Sequence, residues 1–495
     1  MIQIKIPSVS SSGQYPLVAV MAIALFFGIG FSDTVMSGDG AWWDVVPEQE
    51  TPSQYYDSIL YSEIAPKLRE IEVNSNRVKI NVIGKSAGGR HLFLASVSSG
   101  NLGGYQAVQK KMLSDPEKAQ NAISKLSDFK VPVVILAGIG GNEYPTVDAA
   151  IRLIETLAYQ DDVDTKTILE NLVVLVVVVG NPDGRVQGKL ENAASVDLGT
   201  DFTKQTQPET KAVVSLITEW NPVVFLDLRG FVNPMLIEPG TPWHNPNYEY
   251  DLYLKWAFYE AKAMESALLS QMGLVTTIPF RDMPSGRDDW APVRPATYAM
   301  YHGAYAHTIQ TPSEDESGVD ALYAAVWGAL KYASANKVGM LSDQIEMFRR
   351  GALDLPQQLI PEYLLNETPY EQYNGLTVVE FPAAYVIPSQ APLQKDPAAT
   401  ASLVNLMLFN GIKVEKSNET FALGSTTYPK GTYIVRMDQP KRGLANTILW
   451  TKGTIPAVYP PLGQSLLWWP YVVNVSAVVM DALQDVKTTV INKAN

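Results

Sequence analysis

Side chains able to do chemistry are sparse in this 495-residue chain. It has four histidines (His91, His244, His302 and His307) and no cysteine. Thiolate metal sites, disulfides and a cysteine nucleophile are therefore excluded. His302 and His307 sit five apart and His244 is distant, a spacing that matches no recognised ligand pair. Structural hydrogen bonding is the role expected of them. Ser86 and Ser96 lack a nucleophile-elbow context. The run Gly138-Ile139-Gly140-Gly141-Asn142 is glycine-rich after a strand but lacks dinucleotide-binding spacing. Glu314-Asp315-Glu316 reads as a solvated loop. More informative positions lie at the ends of apolar runs: Glu143 follows one, and Asp227 and Arg229 close another.

Those runs are the elements that must position any site. Val131 to Ala137, Leu172 to Val179 and Val223 to Leu228 are apolar enough to be central strands covered on both faces. Arg77 to Ile83 and His91 to Val97 read as further strands. Helical spacing of apolar residues predicts helices over Tyr56 to Ile71, Ala149 to Tyr159, Tyr253 to Met272 and Val319 to Asn336. Strands alternating with amphipathic helices predict an α/β fold, a mixed and largely parallel sheet sandwiched by helices. From about Leu353 prolines cluster. Short units follow: Ala384 to Ile387, a helix around Ala401 to Phe409, Lys413 to Val414 and Gly431 to Val435. The expected organisation is an N-terminal segment over 1–32, a linker over 33–52, the main domain over 53–350 and a smaller α/β domain over 351–495.

Several ordered segments carry a family resemblance. Ile83-Gly84-Lys85-Ser86 with Gly89-Arg90, then Gly140-Gly141-Asn142-Glu143, Asn181-Pro182-Asp183-Gly184-Arg185, Val196-Asp197-Leu198 with Asp201-Phe202, and Leu226-Asp227-Leu228 with Gly230 each follow a predicted strand or loop. Together they resemble the zinc metallocarboxypeptidases, over roughly Tyr55 to Asn336. Pro242-Trp243-His244-Asn245-Pro246-Asn247 is similar to large bacterial members. Such a zinc is held by two histidines and a glutamate, with one position left for water. The resemblance puts Gly140 at the first histidine, Glu143 at the glutamate and Arg229 at the second histidine. It puts Gly199 and Thr200 at the Asn-Arg pair that grips a substrate carboxylate, and Gln310 at the general base. The family's further arginine falls in Gly188-Lys189-Leu190-Glu191, where none stands. Glycine and a guanidinium cannot ligate zinc, and an amide is no base. The resemblance also implies that Glu143 and Arg229 converge, so a charge-assisted pair between them is expected in the vacated cavity.

Composition adds compartment. Net charge is −13, which disfavours nucleic acid as a partner. Tyr15 to Phe31 is an uncharged apolar run, preceded by Lys5 and followed by Asp33, Asp39, Asp44 and Glu48. It is long enough to span a bilayer, and its flanks place the body outside the cytoplasm. An uncleaved anchor is expected rather than a signal peptide. The apolar tail Leu466 to Leu483, interrupted by Pro470, Asn474 and Asp481, is expected to be packed structure. The expected protein is a membrane-anchored, catalytically inactive carboxypeptidase-like pseudoenzyme without metal or cofactor. It would serve an integral membrane protein complex as an accessory or structural subunit, or bind peptides. An active zinc carboxypeptidase with a rebuilt metal site, or a divergent hydrolase using the retained acidic residues, are the alternatives.

Overall fold

A computed structural model describes residues 42–43, 48–100, 104–126, 128–239, 245–283, 292–366, 379–450, 473–478, 483 and 485–494. The three most apolar runs become adjacent parallel strands, because only strands covered on both faces bury every side chain. In chain order the first sheet contains β1 (Val78–Lys85), β2 (His91–Val97), β3 (Val131–Leu136), β4 (Leu172–Val177), β5 (Val224–Gly230), β6 (Met235–Pro239), β7 (Thr276–Thr277) and β8 (Tyr305–Thr311). Their spatial order is β1-β2-β4-β3-β5-β8-β6-β7. The centre, β4-β3-β5-β8, is parallel, and β2 and β6 join it antiparallel. This is the expected mixed α/β sheet, with helices packed against it.

The helix Glu316–Ala352 runs 37 residues, well beyond the expected end at Asn336. Met340, Leu341, Ile345 and Phe348 continue its buried stripe, so tertiary packing overrides the weak local propensity around Gly339. It packs along Tyr250–Met272 and Tyr144–Tyr159. Gly328 permits the close approach: a Cβ there would lie 3.0 Å from the Ala263 carbonyl oxygen.

Turns at the strand ends are fixed by buried polar groups. Asn181 Oδ1 accepts from Gly184 N at 2.9 Å and caps the helix Pro182–Gln187. The buried Asp183 carboxylate accepts from Ser86 Oγ (2.7 Å), Gly88 N (2.8 Å) and Arg90 Nη1 (2.7 Å). Gly141 lies against this turn so closely that a Cβ would come within 2.2 Å of the Gly184 carbonyl carbon. Part of the expected linker is tied in as well. Glu48 pairs with Arg90 at 2.6 Å, and Glu50 accepts from the Tyr61 and Ser62 N–H groups at 2.6 and 2.9 Å, capping the helix Tyr61–Asn74. That helix starts later than the expected Tyr56.

Beyond residue 379 come β9 (Ala384–Ile387), β10 (Glu415–Ser417), β11 (Phe421–Leu423), β12 (Thr426–Tyr428), β13 (Tyr433–Arg436), β14 (Ser476–Val478) and β15 (Thr488–Val490). Five form an antiparallel sheet, β14-β9-β13-β10-β15, and β11-β12 is a separate hairpin. The strand expected at Lys413 to Val414 begins two residues later, and that expected at Gly431 to Val435 runs Tyr433–Arg436. The helices Pro397–Phe409 and Arg442–Leu449 accompany this sheet.

Buried ions join the two sheets. Arg350 grips Asp251 with two bonds, 2.8 and 2.9 Å, and Glu249 with one of 3.0 Å. Arg442 reaches Glu249 at 3.0 Å and the Leu355 carbonyl oxygen at 2.6 Å. The expected anchor Tyr15 to Phe31 lies outside the described residues, as does most of the tail from Leu466. Among the described residues no helix is long and apolar enough to cross a membrane.

Removing Arg350 leaves two buried carboxylates short of a cation. Arg350→Ala is expected to cost about 3–5 kcal/mol in urea unfolding. Lys67→Ala, which breaks only the solvent-facing pair with Glu155, should cost under about 1 kcal/mol.

Candidate functional site

Parallel strands β3, β5 and β8 end at one edge of the sheet, the edge where open α/β sheets place their sites. Glu143 follows β3 and precedes the helix Tyr144–Tyr159, but its side chain does not cap that helix. It turns inward and is 3% exposed. Its Oε2 accepts from Gly140 N at 3.2 Å, and its Oε1 accepts from Gly230 N at 3.3 Å and from Arg229 Nε at 3.2 Å. The structure thus brings Glu143 and Arg229 together as expected, through one charge-assisted bond rather than a two-bond fork.

Charge explains the arrangement. Burial pushes the Glu143 carboxyl up, and Arg229 and the two backbone N–H groups oppose it. For Arg229 burial pushes down, but the carboxylates of Glu143, Asp227 and Asp197 outweigh it and hold the guanidinium above its ordinary value. Asp227 sits two residues before Arg229 on β5 and is 1% exposed. Its Oδ1 has no partner among the described residues. Burial pushes its carboxyl up to about 7, with Arg229 opposing and Glu143 adding to the rise.

The position next to this ion pair is a glycine for a steric reason. A Cβ on Gly199 would lie 2.6 Å from Arg229 Nη1. Gly199 N donates to Asp197 Oδ1 at 2.9 Å, and the Thr200 hydroxyl donates to the Asp197 carbonyl oxygen at 2.9 Å. Thr200 is thereby used within its own turn. Gln310 on β8 stands in register with Arg229 on β5 and is half-buried. Asp197 and Asp227 are partners of Arg229 that sequence reading left without a role. The Asp-x-Gly turn at Asp197 was the one available signal for the first. For Asp227 burial decides, and no local pattern reports it.

These residues do not fit a zinc ion. Glu143 is committed to Arg229 and two N–H groups, Gly140 has no side chain, and a guanidinium has no lone pair to give. Among the described residues no three His, Asp or Glu side chains form a metal-binding group. His302 and His307 lie elsewhere, fully buried, at 2.8 Å from Lys441 Nζ and Glu260 Oε2 respectively. His244 lies outside the described residues. Asp315 caps the helix Glu316–Ala352 through Ser317 N, so the acidic cluster is a helix start.

The chain belongs to the zinc carboxypeptidase family, whose model matches residues 67–363. Solved structures similar to it include a metallo-carboxypeptidase from Pseudomonas aeruginosa, 19% identical, covering 58% of this chain and 70% of that one at a TM-score of 0.44. A metallo-carboxypeptidase from Burkholderia cenocepacia is 18% identical, with 57% and 69% covered and a TM-score of 0.42. The carboxypeptidase A of Helicoverpa armigera is 17% identical, with 59% and 76% covered and a TM-score of 0.39. No curated protein matches the chain.

Arg229→Ala strands Glu143 as a buried anion and is expected to cost about 3–5 kcal/mol in chemical denaturation. Gly199→Ala should cost about 1–3 kcal/mol by overpacking. Most of that cost should vanish in the Arg229→Ala background, a coupling readable in a double-mutant cycle. The raised Asp227 carboxyl predicts a pH trend of known sign. Its folded value exceeds its unfolded one, so the native state holds the extra proton between about pH 4 and 7 and loses stability as pH rises through that window. Asp227→Asn should therefore match the parent near pH 4 and exceed it at pH 8 in thermal melts.

Proposed function

We propose that this chain is a catalytically inactive member of the zinc carboxypeptidase family, held at the extracytoplasmic face of a membrane by its N-terminal apolar run. It acts by binding, as an accessory or structural subunit of an integral membrane complex or as a peptide recogniser. The observation that carries this reading is the Arg229–Glu143 pair at 3.2 Å, which satisfies the one remaining family ligand without a metal. Gln310, Gly199 and Thr200 support it. The resemblance puts them where a general base and a carboxylate clamp are required, and none can supply a base or a cation.

Elemental analysis of the full chain purified from membranes is expected to find no stoichiometric zinc, and C-terminal peptide hydrolysis should stay at background. One zinc per chain together with hydrolysis would favour the active carboxypeptidase reading instead. Gly140→His with Arg229→His is expected to bind zinc without restoring hydrolysis, because base and clamp remain missing. Mature-chain N-terminal sequencing and the set of proteins co-purified in detergent test the anchor and the complex.

A further inference from the structure

Lys441, just before the helix Arg442–Leu449, is 2% exposed. Its Nζ lies 2.8 Å from His302 Nδ1 and 3.2 Å from the Asn410 carbonyl oxygen. His302 follows the short helix Pro295–Met300 beside β8, fully buried, with its ring 4.9 Å from that of Tyr298. Asn410 closes the helix Pro397–Phe409, and its side-chain amide meets that of Gln205 in two contacts of 3.2 Å. Gln205 also donates to the Tyr298 hydroxyl at 2.9 Å. Four stretches of chain converge here, and the contact joins the second sheet's helices to the first sheet's.

The pair is built from two bases. Either nitrogen of the contact can donate to the other, depending on the His302 tautomer, and His302 Nε2 has no partner among the described residues. No ion pair to Lys441 occurs among the described residues. The charged groups around it are engaged with one another. Glu249 is held by Arg350 and Arg442, Asp251 by Arg350, and Asp354 by Arg442 at 3.5 Å. Asp438, three residues before Lys441, is influenced by Arg436, Glu415 and Asp354. Tyr248 and Tyr301 line the small cavity beside Lys441, and Tyr298 faces His302.

We propose that the Lys441–His302 contact is an acid-sensitive latch between the two sheets: the closed contact holds both groups neutral, opening lets them take up protons, and falling pH therefore releases the second sheet. This does not depend on how the Arg229 site is read. Burial favours the neutral form of both groups. It brings Lys441 down to about 7 from an ordinary 10.5, and it holds His302 well below its ordinary value, with the Lys441 charge adding to the effect. Opening therefore takes up a proton between about pH 10.5 and pH 7, and falling pH favours the open form across that window. Below pH 7 Lys441 adds no further slope. His302 supplies its own from its ordinary value of 6.5 downward.

Hydrogen exchange of the full chain, corrected for intrinsic rates, reads this directly from amides in β9 and β13. Their protection should fall by up to about tenfold per pH unit from pH 10 to 7, while amides in β3 and β5 hold theirs. Lys441→Met should flatten that window. A flat parent profile, an equal fall in β3 and β5, or a Lys441→Met chain that keeps the slope would each overturn the latch. If Lys441→Met does not fold, His302→Gln decides. It should keep the slope above pH 7 and lose the further fall below 6.5, and an unchanged profile there also overturns the proposal.

Discussion

A carboxylate buried at the end of a sheet cannot stand alone. Taking an ion out of water costs several kcal/mol unless a counter-charge or hydrogen bonds replace the lost hydration. Glu143 is such a group, and the edge formed by β3, β5 and β8 is arranged around it. Two backbone N–H groups and one guanidinium replace water on its oxygens. Arg229 is buried among three carboxylates that offset its burial, and burial lifts the Asp227 carboxyl to about 7. Each member is tolerable through the others.

The family signature has divided along a physical line. Segments that fix backbone are intact and explained by contacts. Asn181 caps a helix, Asp183 collects Ser86, Gly88 and Arg90, and Gly141 touches the Gly184 backbone. Asp201 accepts from Thr206 and Gln207 N–H groups and shapes the loop after Asp197. Glu143 is buried with the Arg229 guanidinium as the partner of its charge. Fold and chemistry are separable burdens on a sequence, and these contacts account for the fold's share.

The same division explains what could be read from the sequence. The strands β3, β4 and β5 were legible because apolar composition alone specifies a strand covered on both faces. The Glu143–Arg229 contact was legible only through position in a family, since 86 residues separate the partners. The helix Pro208–Trp220 passed unrecognised despite its proline at the first turn, because Thr210 and Lys211 interrupt its stripe. The helix Glu316–Ala352 was cut short at Asn336, just ahead of Gly339, a residue of low helix propensity. Its missing Cβ instead makes room for the Trp256 ring, 2.6 Å from where that Cβ would stand. The Lys441–His302 join between the sheets, one of two, was invisible. Lys441 and His302 are 139 residues apart and neither carries a local signal.

Steric facts also link the substitutions to one another. A side chain at Gly199 would meet the Arg229 guanidinium, and a Cβ at Gly140 would lie 2.6 Å from the Glu143 carboxyl carbon. A histidine introduced at 140 alone would crowd the Glu143 carboxylate and still leave a zinc without its third ligand. An asparagine introduced at 199 alone would displace the cation that Glu143 needs. Gly140, Gly199 and Arg229 are therefore one packing solution to one buried charge. A side chain at 199 would compete with the guanidinium for space, and one at 140 with the Glu143 carboxylate. Such coupling holds the Arg229–Glu143 pair in place.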